Sequence, residues 1–208
     1  MNIVLIGYRG SGKSAVGRRL ASCLEMTFVD TDTLLQEHHD VSISKMVEAH
    51  GWEYFRAAEK RIIEEISDRD HWVIAPGGGA VLDPDNVTAL RRKGLMIWLK
   101  ADSEVLLRRI GEDPQTPGRR PPLTGKGLLE EIEEVLAYRN PFYERASAVQ
   151  LDTSEMDVEA VVQHILTLGR NNPVIPSPLA PGLRSLELLR RSRRRGQALH
   201  NVGCRTKP

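Results

Sequence analysis

Eight residues near the start, Gly7-Tyr8-Arg9-Gly10-Ser11-Gly12-Lys13-Ser14, match G-x-x-x-x-G-K-[ST] at every fixed position. A polyphosphate needs many hydrogen-bond donors at close range. Glycines let the backbone wrap with its N–H groups pointing inward, and no Cβ blocks the approach. A helix that follows adds its N-terminal partial positive charge. Lys13 can reach the β- and γ-phosphates, and the Ser14 hydroxyl can serve Mg²⁺. The stretch fixes a nucleoside triphosphate site and leaves open what happens to the phosphate. Tyr8 and Arg9, the variable residues within the loop, are not explained by this chemistry.

Four features downstream bear on that question. "FVDTDTLL" places Asp30 and Asp32 two apart at the end of a strand-like run, where a parallel sheet faces its ligand crevice. Asp30 can complete a Mg²⁺ sphere, and Asp32 can hydrogen-bond an acceptor hydroxyl and draw off its proton. Either one can instead be an Asp cap on the following helix. In "WEYFRAAEKRIIEEI", Phe55, Ile62 and Ile66 form an apolar stripe that contains Glu59. A carboxylate on a buried face needs a partner, and Arg56, three residues before it, is in reach. A guanidinium so fixed suits the bidentate grip of a carboxylate; the alternative is a surface ion pair. "APGGGAV" puts Gly77, Gly78 and Gly79 after another strand, where a backbone can approach a ligand closely. In "GLLEEIEEVLAYRNPFYERA", Leu128, Ile132, Val135 and Leu136 share one face that Arg139 continues. Arg139 therefore points toward the site or snorkels out.

The elements that carry these groups alternate. Strands are expected at Ile3–Ile6, Thr27–Val29, Trp72–Ala75, Leu95–Leu99 and Ala148–Leu151, short and apolar as in strands covered on both faces. Helices are expected after the first loop, with Val16, Leu20 and Leu24 on one face, and near 33–39, 43–49, 52–68, 84–92, 102–110, 127–144 and 156–168. The alternation predicts a three-layer α/β/α sandwich around a five-stranded parallel sheet. The Pro- and Gly-rich stretch 111–126 breaks it and is expected to be a mobile lid.

The 208 residues suffice for one domain and a tail. Nine of the 29 basic residues, but one of the 28 acidic residues, lie from Arg170 onward, so a body of net charge −7 carries a tail of +8. The domain is assigned to 1–169, and the basic, Pro-rich 170–208 is expected to be disordered, or a basic helix that docks an acidic surface. An acidic body argues against a nucleic-acid partner. No apolar run is long enough to span a bilayer, and the start has no signal-peptide pattern. Two cysteines, Cys23 (expected to be buried) and Cys204, form no disulfide framework. The expectation is a cytoplasmic monomer without a membrane partner. His38 and His39 are adjacent and read as surface residues.

Together, GYRGSGKS, the DTD after the second strand, FRAAE, the GGG after the third, RRPPL and YRNPFY resemble shikimate kinase, in the nucleoside monophosphate kinase-like group. Their order and spacing cover residues 1 to about 168. The resemblance implies a P-loop kinase fold and transfer of the ATP γ-phosphoryl to the 3-hydroxyl of shikimate, in aromatic amino-acid biosynthesis. It implies that Gly10, Ser11, Gly12, Lys13, Ser14 and Ala15 bind ATP, and that Ser14 and Asp30 serve Mg²⁺. It makes Lys13, Asp32 and Arg120 catalytic, with Asp32 as the candidate base and Arg120 swinging in with the lid toward the phosphoryl. Asp32, Arg56, Gly78, Gly79 and Arg139 would bind shikimate, Glu59 would orient Arg56, and Arg109 would lie against adenine. Pro76, in place of Thr or a similar residue, and a longer lid depart from the family. The lid leaves Arg119 and Arg120 as alternatives, with Pro121 favouring Arg120. A gluconate-type sugar-acid kinase and a non-catalytic nucleotide-binding module are the competing assignments.

Overall fold

The computed structural model describes residues 1–112 and 127–171. Five strands, β1 (Asn2–Ile6), β2 (Thr27–Asp30), β3 (Trp72–Ala75), β4 (Gly94–Lys100) and β5 (Val149–Asp152), form one sheet in the order β2-β3-β1-β4-β5. Every pairing is parallel, with Ile3 opposite Val73 and Leu95, and Phe28 opposite Val73. Helices α1 (Lys13–Leu24), α2 (Thr31–His39), α3 (Ile43–Ser67), α4 (Pro84–Lys93), α5 (Ser103–Glu112), α6 (Leu128–Ala146) and α7 (Val158–Asn171) connect and flank the strands.

Strand β1 shows why the chain builds three layers. All five of its residues are buried. Successive side chains point to opposite faces, and here both faces meet helices. Ile3 and Leu5 join Val16, Leu20, Val162 and Ile165 from α1 and α7. Val4 and Ile6 join Phe55, Ile62, Ile63 and Leu90 from α3 and α4. A strand apolar at every position therefore has to sit mid-sheet.

Differences from the expected elements have local causes. The two helices expected at 43–49 and 52–68 follow one another within α3 and are parted at Gly51, whose φ of +80° is not helical. The segment between β3 and α4 contains a 3₁₀ turn, Ala80–Leu82, too short to show a periodicity. Helix α5 runs through Gly111 and Glu112, two residues into the expected lid. The rest of the lid, including Arg119 and Arg120, and the tail from residue 172 with Cys204, lie outside the described residues. Leu128 is 40% exposed, whereas Glu131 takes a place on the buried face of α6 at 1%. Cys23 is a half-buried thiol, and His38 and His39 are exposed. Among the described residues no helix is long and apolar enough to cross a membrane.

Candidate active site

The loop between β1 and α1 lies at the carboxyl end of the central strand. Gly10 and Gly12 have φ of +79° and +91°, values that side-chain-bearing residues adopt only with strain. Gly12 is the N-cap of α1, so no side chain caps this helix, and its first turn holds no acidic residue. The free N–H groups and the partial positive charge of the helix end are thereby left for an anion. Lys13 Nζ bridges the carbonyl oxygens of Gly7 (2.9 Å) and Tyr8 (2.8 Å), which folds the lysine over the loop.

Helix α2 begins in the opposite way. Asp30 Oδ1 accepts from the backbone N–H groups of Asp32 (3.0 Å) and Thr33 (3.2 Å). Its other oxygen accepts from the Ser14 hydroxyl at 2.5 Å. The two jobs open for Asp30 in the sequence are thus compatible: one carboxylate caps α2 and reaches the phosphate loop. Asp32 stands in the first turn of α2 beside it.

These residues line a cleft of about 580 Å³. Arg9 to Val16, Asp30, Asp32, Pro76, Gly78 and Arg109 border it. The rest of the lining includes Thr153, Met156 and Asp157 of the β5–α7 connection and Val158 at the start of α7, which were not expected from sequence because "TSEMDV" matches no motif. Arg109 is fixed against that connection, donating to the Thr153 hydroxyl (3.2 Å), Thr153 O (2.7 Å) and Met156 O (3.3 Å). Burial, and then the neighbouring Arg108 cation, hold its guanidinium below the ordinary arginine value.

Arg56, Glu59, Gly79 and Arg139 lie beyond that cleft, next to its Gly78 wall. Glu59 is 2% exposed, and its Oε2 accepts from Arg56 at 2.5 Å. The pair is therefore anchored in the core and is no surface contact. The Arg56 guanidinium lies over the rings of Phe55 (5.1 Å) and Trp52 (5.8 Å), contacts that fix its plane. It also rests directly on Gly79: a Cβ there would collide with the guanidinium. Gly78 packs against the phosphate loop, its Cβ position 3.2 Å from Gly7 O. Gly77 N–H donates to the Thr31 hydroxyl (3.0 Å) at the start of α2.

Arg139 is 7% exposed, which settles its alternatives: it does not snorkel out. Its Nε has no hydrogen-bond partner among the described residues, and such an orphaned donor is costly unless something else accepts from it. One turn on, Tyr143 donates to Gly78 O at 2.5 Å. The two loop residues left without a role also face this helix. Tyr8 is buried, and Arg9 pairs with Glu131 of α6 at 3.0 Å. Burial pushes the Tyr8 phenol above its ordinary value, against the opposing pull of Arg9 and Arg139. Glu131 does not stand out in the sequence, because Leu128 fits the apolar stripe by spacing although it is exposed. The step of four back from Tyr143 through Arg139 and Val135 reaches Glu131.

Among the described residues no group of three or more His, Cys, Asp or Glu side chains could hold a metal ion. Ser14 and Asp30 fit a hard cation that takes few protein oxygens and completes its sphere with phosphate and water.

The family model for shikimate kinase matches residues 9–168. A shikimate kinase of Syntrophus aciditrophicus is 39% identical over 173 residues, covering 79% of this chain and 89% of its own. Shikimate kinase 2 of Yersinia enterocolitica is 40% identical over 166 residues, covering 79% and 94%. The structure of shikimate kinase from Acinetobacter baumannii in complex with shikimate superposes with a TM-score of 0.76 at 30% identity, over 82% of this chain and 93% of that one. These matches span the phosphate loop, the carboxylates beside it and the anchored arginines, and the chain belongs to the shikimate kinase family.

Proposed function

We propose that the protein transfers the γ-phosphoryl group of ATP to the 3-hydroxyl of shikimate, giving shikimate 3-phosphate for aromatic amino-acid biosynthesis. The observation that carries this is the seating of a core-anchored guanidinium, Arg56, on Gly79, one residue from where Gly78 meets the phosphate loop. A carboxylate grip thus abuts a triphosphate cradle, as a small phosphorylated acid requires.

Lys13 and the backbone from Gly10 to Ala15 hold the phosphates, and Arg109 lies along the adenine against Thr153. Ser14 and Asp30 hold Mg²⁺, which when bound neutralises charge on the transferring phosphoryl group. Asp32 accepts the proton of the attacking hydroxyl. Arg56 and Arg139 clamp the acceptor carboxylate, with Gly78 and Gly79 giving close backbone approach, and Glu59 holds Arg56 in its plane. Arg120 is assigned to the phosphoryl on a lid that closes out water. The catalytic domain is assigned to residues 1–169, and 170–208 is a dispensable basic extension.

The test is a coupled assay of ATP consumption by the purified chain with shikimate or gluconate as acceptor. Turnover with shikimate alone is expected. Phosphorylation of gluconate but not shikimate overturns the assignment, and hydrolysis of ATP without either acceptor removes the kinase reading altogether.

A further inference from the structure

Four buried residues of α6 recur at steps of four: Glu131, Val135, Arg139 and Tyr143. Such a row lies along one side of a helix, here spanning about 18 Å at the helical rise per residue. Its two ends are fastened to different loops. Glu131, 2% exposed at its side chain, accepts from Arg9 at the apex of the phosphate loop. Tyr143 donates to Gly78 O in the loop after β3. Those loops also touch each other, the Cβ position of Gly78 lying 3.2 Å from Gly7 O and 3.5 Å from Arg9 N. The contacts close a ring: phosphate loop, Arg9, Glu131, α6, Tyr143, Gly78, phosphate loop. Arg139 sits inside it.

We infer that α6 is a strut pinned at both ends, and that Arg9 and Glu131 are positioning residues that register the acceptor-binding Arg139 against the phosphate loop. The inference rests on the kinase assignment above. Arg9 occupies a position that the phosphate chemistry leaves free, so its pairing is a property of this chain and not of the loop motif. Replacing Arg9 takes a charge-assisted hydrogen bond from a buried carboxylate. Glu131 then loses its tie to the phosphate loop, and the row that carries Arg139 shifts with it. Fixing one loop also fixes the other, which couples nucleotide and acceptor binding in both directions.

The test uses the full chain with E131Q, R9M, R9K and the double variant R9M/E131Q. E131Q is expected to raise the KM for shikimate about tenfold with kcat within about twofold, the pattern of lost binding and not lost chemistry. Its Kd for ADP, by calorimetry, is expected to rise about threefold. R9K recovers most of what R9M loses, and the double variant is no worse than the worse single one. A lowered Tm in E131Q with unchanged KM and ADP affinity reduces the pair to a structural contact and overturns the inference. Loss in R9M without loss in E131Q also overturns it, because Arg9 then acts on a ligand directly. If E131Q does not fold, E131D takes its place with the same expectations. If the unmodified chain turns over no shikimate, the kinase assignment is what fails; the strut is then judged by ADP affinity alone, and an E131Q value equal to the parent's overturns it.

Discussion

The nucleotide side of the site and the acceptor side are assembled by different means. The first is one unbroken stretch, Arg9 to Val16, wrapped ahead of a helix that no side chain caps. The second is drawn from α3, α6 and the loop after β3, and its donors are guanidiniums held by buried partners or by burial itself. A triphosphate is long and carries its own cation, so backbone N–H groups in series serve it well. A small acid offers one carboxylate and a few hydroxyls, which only side chains placed from several directions can read at once. The first side is tolerant of its surroundings, whereas the second depends on the packing of the whole domain.

That contrast can be broken or sharpened by substitution. Asp32 lines the cleft and is the proposed base, so D32N is expected to remove that role while leaving each half intact. Its kcat is expected to fall about 10²- to 10⁴-fold, with both KM values within a few-fold. Steady-state kinetics in both substrates checks this, and a collapse of ATP binding instead would place Asp32 wholly on the nucleotide side. G79A tests the acceptor side alone. The added methyl displaces the Arg56 guanidinium, so the KM for shikimate is expected to rise about tenfold with ADP affinity unchanged. Equal losses in both ligands would show that the two halves are not separable there. T153A is the mildest. It removes one of the three bonds that hold Arg109, and the KM for ATP is expected to rise about two- to fivefold, in line with one hydrogen bond, with shikimate unaffected.

The same division governs what the sequence could convey. The nucleotide side was legible because its chemistry is local: spacing within eight residues is the geometry. The sheet was legible because apolar runs between amphipathic segments leave few alternatives. On the acceptor side, Glu59 stood out only as a charge inside an apolar stripe. Arg139 left its direction open, because an arginine at the end of a stripe satisfies two geometries and only burial separates them. Thr153, Met156, Asp157 and Val158 were invisible, since they match no motif and follow no periodicity. Glu131 was hidden by its neighbours: a Leu-Leu pair at a helix start, exposed in the fold, outweighs a lone glutamate in any hydrophobic pattern.

The ring contacts have an optical consequence. Of the three tryptophans, Trp52 lies under the Arg56 guanidinium and Trp98 lies 5.5 Å from the ring of Tyr143. Trp72 opens β3 at the opposite end of the sheet. None of the three borders the nucleotide cleft. A carboxylate bound at Arg56, as proposed, would change the field at the Trp52 indole directly, whereas a bound phosphate is set apart from Trp98 by the backbone of β1, whose Ile6 pairs with it. The protein's own ultraviolet emission is thus a gauge of its acceptor side, built in by the residues that hold that side together.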